Sequence, residues 1–151
     1  MKELSAIATA EQVSSGAFSA REVARYYLDR VAQHGGGLNA LLHVDEADVL
    51  AQADRVDQKR ARGEPLGRLA GVPIIVKDNL CVRGTPTTCA SKILAGYRPP
   101  YDAHVIEQAK RADAVLLAKA NMDEFAMGSS NENSAFGAVH NPWNPAHAPG
   151  G

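Results

Sequence analysis

The sequence is poor in sulfur and in rings, with two cysteines, three methionines and 5% aromatics among 151 residues. Cys81 and Cys89 lack metal-type spacing and have no neighbouring set of Cys or His to complete a tetrahedral site. The expectation is therefore no bound metal and two reduced, incidental thiols. An excess of one charge is also missing: 16 basic against 17 acidic residues leave a net charge of -1. Such a chain has no field to hold a nucleic acid backbone, so any RNA contact must come through a partner. No apolar run approaches a membrane span. Met1 to Ala10 carries Lys2 and Glu3 and then small residues, without the apolar core of a secretory signal, which makes a cytoplasmic location the expectation. No Gly-x-Gly-x-x-Gly follows a strand and no Gly-Lys-Ser/Thr loop is there to cradle phosphate. A nucleotide-binding module, which βαβ patterning alone would permit, gains no support.

What is present is 45% hydrophobic content rich in Ala, Val and Leu, enough to bury the core of one α/β domain. The first third has helical spacing. Leu4, Ile7 and Ala8, then Val23, Tyr27 and Val31, recur every three or four residues and line one face. Ser19 and Glu22 form a capping box, and Gly35, Gly36 and Gly37 are expected to stop the helix that it starts. A further helix is predicted from about Asp45 to Arg62, with Val49, Ala53 and Val56 on one face. Gly63 and Pro65 close it, and its basic end, Lys59 to Arg62, suits the helix dipole better than it suits an RNA patch.

From Leu69 the pattern changes. Gly71-Val-Pro-Ile-Ile-Val76 is a short continuous run rich in β-branched residues, which predicts a strand buried on both faces. Residues 103–112 are patterned as a helix and 114–118 as the next buried strand, so a βαβ crossover is expected. Asn121 can cap a short helix through Phe125, which Gly128 ends. The stretches Gly128–Gly137 and His140–Pro145 are loop, rich in turn formers and free amides, and suit a binding wall.

Two places carry chemistry. Lys77 directly follows the buried run and so emerges at the carboxyl end of a strand, where open α/β sheets place their ligands. Burial at such an address disfavours an ammonium, and a neutral lysine is a usable general base. Local context alone favours an ordinary polar residue leaving a strand. Asn79, which returns to the lysine's side of an extended chain while Asp78 points away, is the neighbour that could orient a base. The second place is Met127-Gly-Ser-Ser130, whose hydroxyls and amides could hold a polar amide substrate without charge, or could be a plain turn.

The strings Gly71-Val-Pro-Ile-Ile-Val-Lys-Asp-Asn79, Gly84-Thr-Pro-Thr-Thr-Cys-Ala-Ser-Lys-Ile-Leu94 and Asn121-Met-Asp-Glu-Phe-Ala-Met-Gly-Ser-Ser130 together resemble the amidase signature family, over about 66–151. Within it, the run from Met122 to Gly137 with Asn141-Pro-Trp-Asn144 is similar to the A subunits of glutamyl-tRNA(Gln) or aspartyl-tRNA(Asn) amidotransferases. The resemblance implies an α/β fold in one amidase domain, with an N-terminal helical segment (1–65) followed by the first strands of a mixed sheet (66–151) that carry Lys77 and the pocket loop. It implies a Ser, cis-Ser, Lys triad in which Lys77 takes a proton through the cis-serine so that the other serine attacks an amide carbonyl. Met127, Gly128, Ser129 and Ser130 become substrate-binding candidates.

The resemblance also implies a glutaminase subunit of a heterotrimer with B and C subunits. Ammonia from glutamine would pass to the B subunit, where ATP, with magnesium, activates the mischarged tRNA's carboxyl. No cofactor is expected in this chain, and tRNA would be met mainly through a partner. Pro149-Gly-Gly151 matches the segment that in the family leads into the cis-serine, so the chain is expected to cover the first third of such a subunit and to be inactive alone. Its buried strands would then stay open, which predicts aggregation. A general small-amide amidase of the same family and a catalytically dead partner-binding fragment are the alternatives. Two departures stand out: Ala118-Lys-Ala120 replaces the usual Gly-Lys-Thr, and Asp113 stands where glycine is common.

Overall fold

The computed structural model describes residues 4–151, so Met1, Lys2 and Glu3, part of the reading of the N-terminus, lie outside the described residues. The element order is α1 (Ala6–Ser15), α2 (Ala20–Leu38), β1 (Leu41–His43), α3 (Glu46–Ala61), β2 (Pro73–Lys77), α4 (His104–Arg111) and β3 (Val115–Ala120). Single 3₁₀ turns lie at Lys92–Leu94 and Glu124–Ala126. The sheet has the order β1-β3-β2 and is mixed. β1 pairs antiparallel with β3 with an irregularity between Leu41 and His43. Val115 N donates to Val72 O (2.9 Å) and Asp78 N to Ala120 O (3.1 Å), so β2 and β3 run the same way and α4 is the crossover between them.

The chain forms two compact units that interleave in sequence. The first comprises the chain up to Val31, Asp45–Ile74 and Glu107–Leu117. Its core is aliphatic: Val13, Ala20, Val23, Val49, Ala53, Val56 and Val115 are all buried, each large side chain contributing about 1.5–3 kcal/mol. Polar ties fix the helix ends around this core. The capping box forms, with Glu22 N donating to Ser19 Oγ (3.0 Å) and Ser19 N to Glu22 Oε2 (2.7 Å). Asp57 of α3 accepts from the amides of Ala20 and Arg21 at the start of α2, and Arg60 donates to Val13 O and Phe18 O. Gly71, at φ +70, approaches α1 so closely that a Cβ would fall 2.9 Å from Val13 Cγ2.

The second unit comprises Ala32–Val44, Ile75–Ile106 and Ala118–Gly151. Three expectations are corrected here. α2 runs through Gly35, Gly36 and Gly37 and ends instead where Asn39 adopts a left-handed φ of 52°, the conformation that terminates helices. Asn39 Nδ2 then reaches the carbonyls of Phe136, Gly137 and Ala138, which ties down the terminator. β2 is not buried on both faces: Val76 is buried, but Ile75, on the opposite face, is 51% exposed, because none of the described elements covers that side. Asn121 caps no helix. Asp123 occupies the cap position of the 3₁₀ turn, and Asn121 works as a tie, donating to Asn39 O and Gly137 O and accepting from Ser134 Oγ.

Candidate active site

Lys77 ends β2 in the second unit, half-buried, and its carbonyl accepts from Leu80 N (3.0 Å) to close a tight turn. Among the described residues its ammonium has no polar partner. Asn79 does not supply one: it sits exposed within the turn and makes no side-chain bond to Lys77, because the chain leaves extended geometry at Asp78 and the period-two alternation that placed Asn79 beside Lys77 no longer holds.

The residue that organises the turn is Asp78, only 1% exposed. Its Oδ2 accepts from Thr88 N (2.8 Å) and Thr88 Oγ1 (2.5 Å), and its Oδ1 lies 3.1 Å from Lys119 Nζ. Its backbone is engaged too, donating to Ala120 O and accepting from Cys89 N. Lys119, on β3 and 2% exposed, has its donors taken by Asp78, by Leu80 O (2.9 Å) and by Thr87 Oγ1 (3.0 Å). In the sequence, Lys119 stood out only as part of a departure from a common string. The signal was available: a lysine inside the apolar strand Val115–Ala120 must meet a buried carboxylate or remain unpaired at a cost of several kcal/mol.

The second candidate, Met127–Ser130, follows the 3₁₀ turn in the same unit. Met127 is 79% exposed, and Gly128 and Ser129 are exposed as well. This loop is shaped by Asp123, a buried carboxylate that accepts from Asn131 N (2.9 Å) and Asn133 N (3.0 Å). Those amides, Asn133 first and Asn131 second, hold the Asp123 carboxyl below the usual aspartate range. A Cβ on Gly128 would fall 2.4 Å from Asp123 Cγ, so the loop folds directly onto the carboxylate.

Backbone strain gathers in this unit. Cys89 and Ala90 are consecutive left-handed residues, as are Phe125 and Ala126, and Phe125 N donates to Cys89 O (2.9 Å), linking the two pairs. Non-glycine residues are held there only where surrounding bonds over-determine them, and such clusters are characteristic of functional sites. Cys89 and Cys81 are free thiols, and burial, with the Asp78 charge behind it, pushes the Cys89 thiol up, which makes it a poorer nucleophile at neutral pH.

The amidase family model matches residues 22–151. The chain is 52% identical, over its whole length, to the A subunit of the glutamyl-tRNA(Gln) amidotransferase of Salinispora arenicola (strain CNS-205), of which it covers 31%. It is 54% identical over 93% of its length to the A subunit of the same enzyme from Gloeobacter violaceus (strain ATCC 29082 / PCC 7421), covering 29% of it. It thus spans about a third of the length of these relatives. Among solved structures, a peptide amidase from Stenotrophomonas maltophilia superposes with a TM-score of 0.88 at 30% identity, over 99% of this chain and 32% of that one. A protein from work on the evolutionary origins of an s-triazine catabolic enzyme superposes with a TM-score of 0.93 at 36% identity, over 98% and 33%. With the family model matched over most of its length, the chain belongs to the amidase family.

Proposed function

We propose that this chain provides the lysine base and part of the pocket wall of a glutaminase subunit in a tRNA-dependent amidotransferase. The observation that carries the reading is the identity of 46–54% to the A subunits of several glutamyl-tRNA(Gln) amidotransferases. It is higher than the 28–36% shared with superposed solved structures, an aryl acylamidase among them. Lys77 takes the proton of the nucleophilic serine through the cis-serine, both supplied by sequence beyond Gly151. The serine oxygen bonds to the side-chain carbonyl carbon of glutamine, the C–N bond breaks, and the proton returns to the leaving nitrogen so that ammonia departs. Water then cleaves the ester to give glutamate. Met127, Gly128, Ser129 and Ser130 contribute hydroxyls, amides and an apolar surface to the glutamine pocket.

Ammonia passes to a B subunit, which uses ATP with magnesium to activate the mischarged tRNA's carboxyl, a C subunit bracing the pair in the cytoplasm. The chain's net charge of -1 fits a protein that leaves tRNA contact to its partner. The test is glutamine-dependent conversion of Glu-tRNA(Gln) by the assembled complex containing the complete subunit. Conversion that needs B, C and Lys77 supports the reading. Hydrolysis of small amides that is indifferent to B and C replaces it with a general amidase.

A further inference from the structure

We infer that Lys119 is a positioning residue for the reaction, setting the direction in which Lys77 leaves the sheet. The inference rests on Lys77 being the base. The Lys77 side chain departs from a turn whose next residues, Asp78 and Leu80, are both held by one ammonium: Lys119 Nζ lies 3.1 Å from Asp78 Oδ1 and 2.9 Å from Leu80 O. Its third bond, 3.0 Å to Thr87 Oγ1, reaches the segment whose next residue, Thr88, donates twice to Asp78 Oδ2. With a longer contact to Pro86 O (3.5 Å), one ammonium ties the Lys77–Leu80 turn to the Pro86–Thr87 segment, which leaves the turn little freedom. With Ala120 O and Cys89 N on the Asp78 backbone, every polar group of Asp78 is engaged.

Stability alone does not account for this arrangement. A buried ion pair seldom contributes more than apolar side chains of the same volume, because desolvation offsets the attraction. What apolar side chains cannot supply is direction. The Asp78–Lys119 pair gives it to the stem of the neighbouring lysine, and proton transfer is steep in distance and angle.

The test uses the assembled complex with the complete subunit. Lys119→Met leaves the buried Asp78 charge without its cation and lowers both the melting temperature and kcat. The double variant Asp78→Asn, Lys119→Met removes both charges and recovers the melting temperature. If Lys119 positions Lys77, kcat for glutamine stays at least about 100-fold down in the double variant, the order that a misplacement of about 1 Å costs, while KM stays within about threefold. If kcat returns with the melting temperature, the pair is merely structural and the inference falls. Thr87→Val removes a single acceptor of Lys119 without touching the turn and remains folded. A kcat reduced about tenfold at unchanged KM, on the same distance dependence, is expected, and an unchanged kcat overturns the inference. Lys77→Ala in parallel separates the layers: turnover retained there removes the base itself, whatever Lys119 does.

Discussion

Gly128 and the Asp123 carboxylate occupy adjoining space with no room for a methyl group between them, since a Cβ at 128 would sit 2.4 Å from Asp123 Cγ and 2.7 Å from its Oδ2. Gly128→Ala must displace either the carboxylate, which already accepts from Asn131 and Asn133, or the Met127–Ser130 loop. If the loop is a wall of the proposed glutamine pocket, kcat/KM for glutamine in the assembled complex falls at least about tenfold, as displacement by part of an ångström predicts. Steady-state kinetics checks it.

Asp123 also sets a pH dependence. Its folded-state pKa lies below the unfolded value because backbone amides favour the ionised form. The stability it contributes is therefore fully present above the unfolded aspartate value and is lost as pH falls through the lower, folded value. Melting temperatures measured at successively more acid pH should fall through that window, and Asp123→Asn, less stable at neutral pH, should show a shallower fall there. An equal slope in both proteins would remove Asp123 as a contributor.

Asp113 explains one departure from the family's usual sequence. Its φ of 61° is the conformation for which glycine is preferred. The aspartate tolerates it while accepting from Lys59 Nζ (2.7 Å) and from Gly67 N (2.5 Å). Asp113→Gly relieves about 1 kcal/mol of backbone strain but forfeits the charge-assisted bonds to Lys59, which reaches both carboxylate oxygens, and to Gly67, bonds of about 1.5–3 kcal/mol each. The expected result in urea denaturation is a net loss of stability. Lys59→Met should cost much less in the Asp113→Gly background than in the parent, as residues sharing one interaction do.

Gly71 combines a left-handed φ of 70° with contact distances of 2.9 Å to Val13 Cγ2 and 3.0 Å to Ala20 Cβ for any added Cβ. Gly71→Ala is expected to destabilise by about 2–4 kcal/mol, from left-handed strain and overpacking together. Chemical denaturation reads it directly, and a change of under about 0.5 kcal/mol, the range of ordinary surface substitutions, would show that α1 yields.

Ile75, Ile93, Met127 and Trp143 are all more than half exposed, Trp143 at 95%. Single exposed apolar residues are ordinary, but this many in one unit predicts that the 151-residue polypeptide alone binds a hydrophobic dye and self-associates as concentration rises. Analytical ultracentrifugation checks this, and a monomer that melts cooperatively at high concentration would contradict it.

The parts of the fold that local chemistry dictates could be read in advance. Asp45 caps α3 as a short acidic side chain before an apolar stripe should, accepting from Asp48 N, and the β2–α4–β3 crossover follows from two apolar runs with a helically patterned stretch between them. What local pattern does not reveal depends on distant partners. The three glycines allow α2 to end but do not oblige it to, and its end is set by Asn39 bonding to carbonyls about a hundred residues away. β1 is three residues long, too short for any periodicity, and exists because β3 offers it an edge. At the candidate site Lys77 stands at the expected strand end, but period-two reasoning failed at Asp78, where the turn begins. Asp123 and Lys119 take their meaning from bonds that no local pattern encodes.

The burial of Lys119 gives the chain two chemically distinguishable amines. An acylating reagent in water needs access to a nitrogen lone pair. Lys119 Nζ, enclosed at 2% exposure with its donors occupied, is shielded from it, whereas Lys77, half-buried and without a polar partner among the described residues, is open to it. In the folded protein the reagent should therefore mark Lys77 and spare Lys119, so the appearance of label at Lys119 in a peptide map becomes a clock for the opening of the strand that carries it.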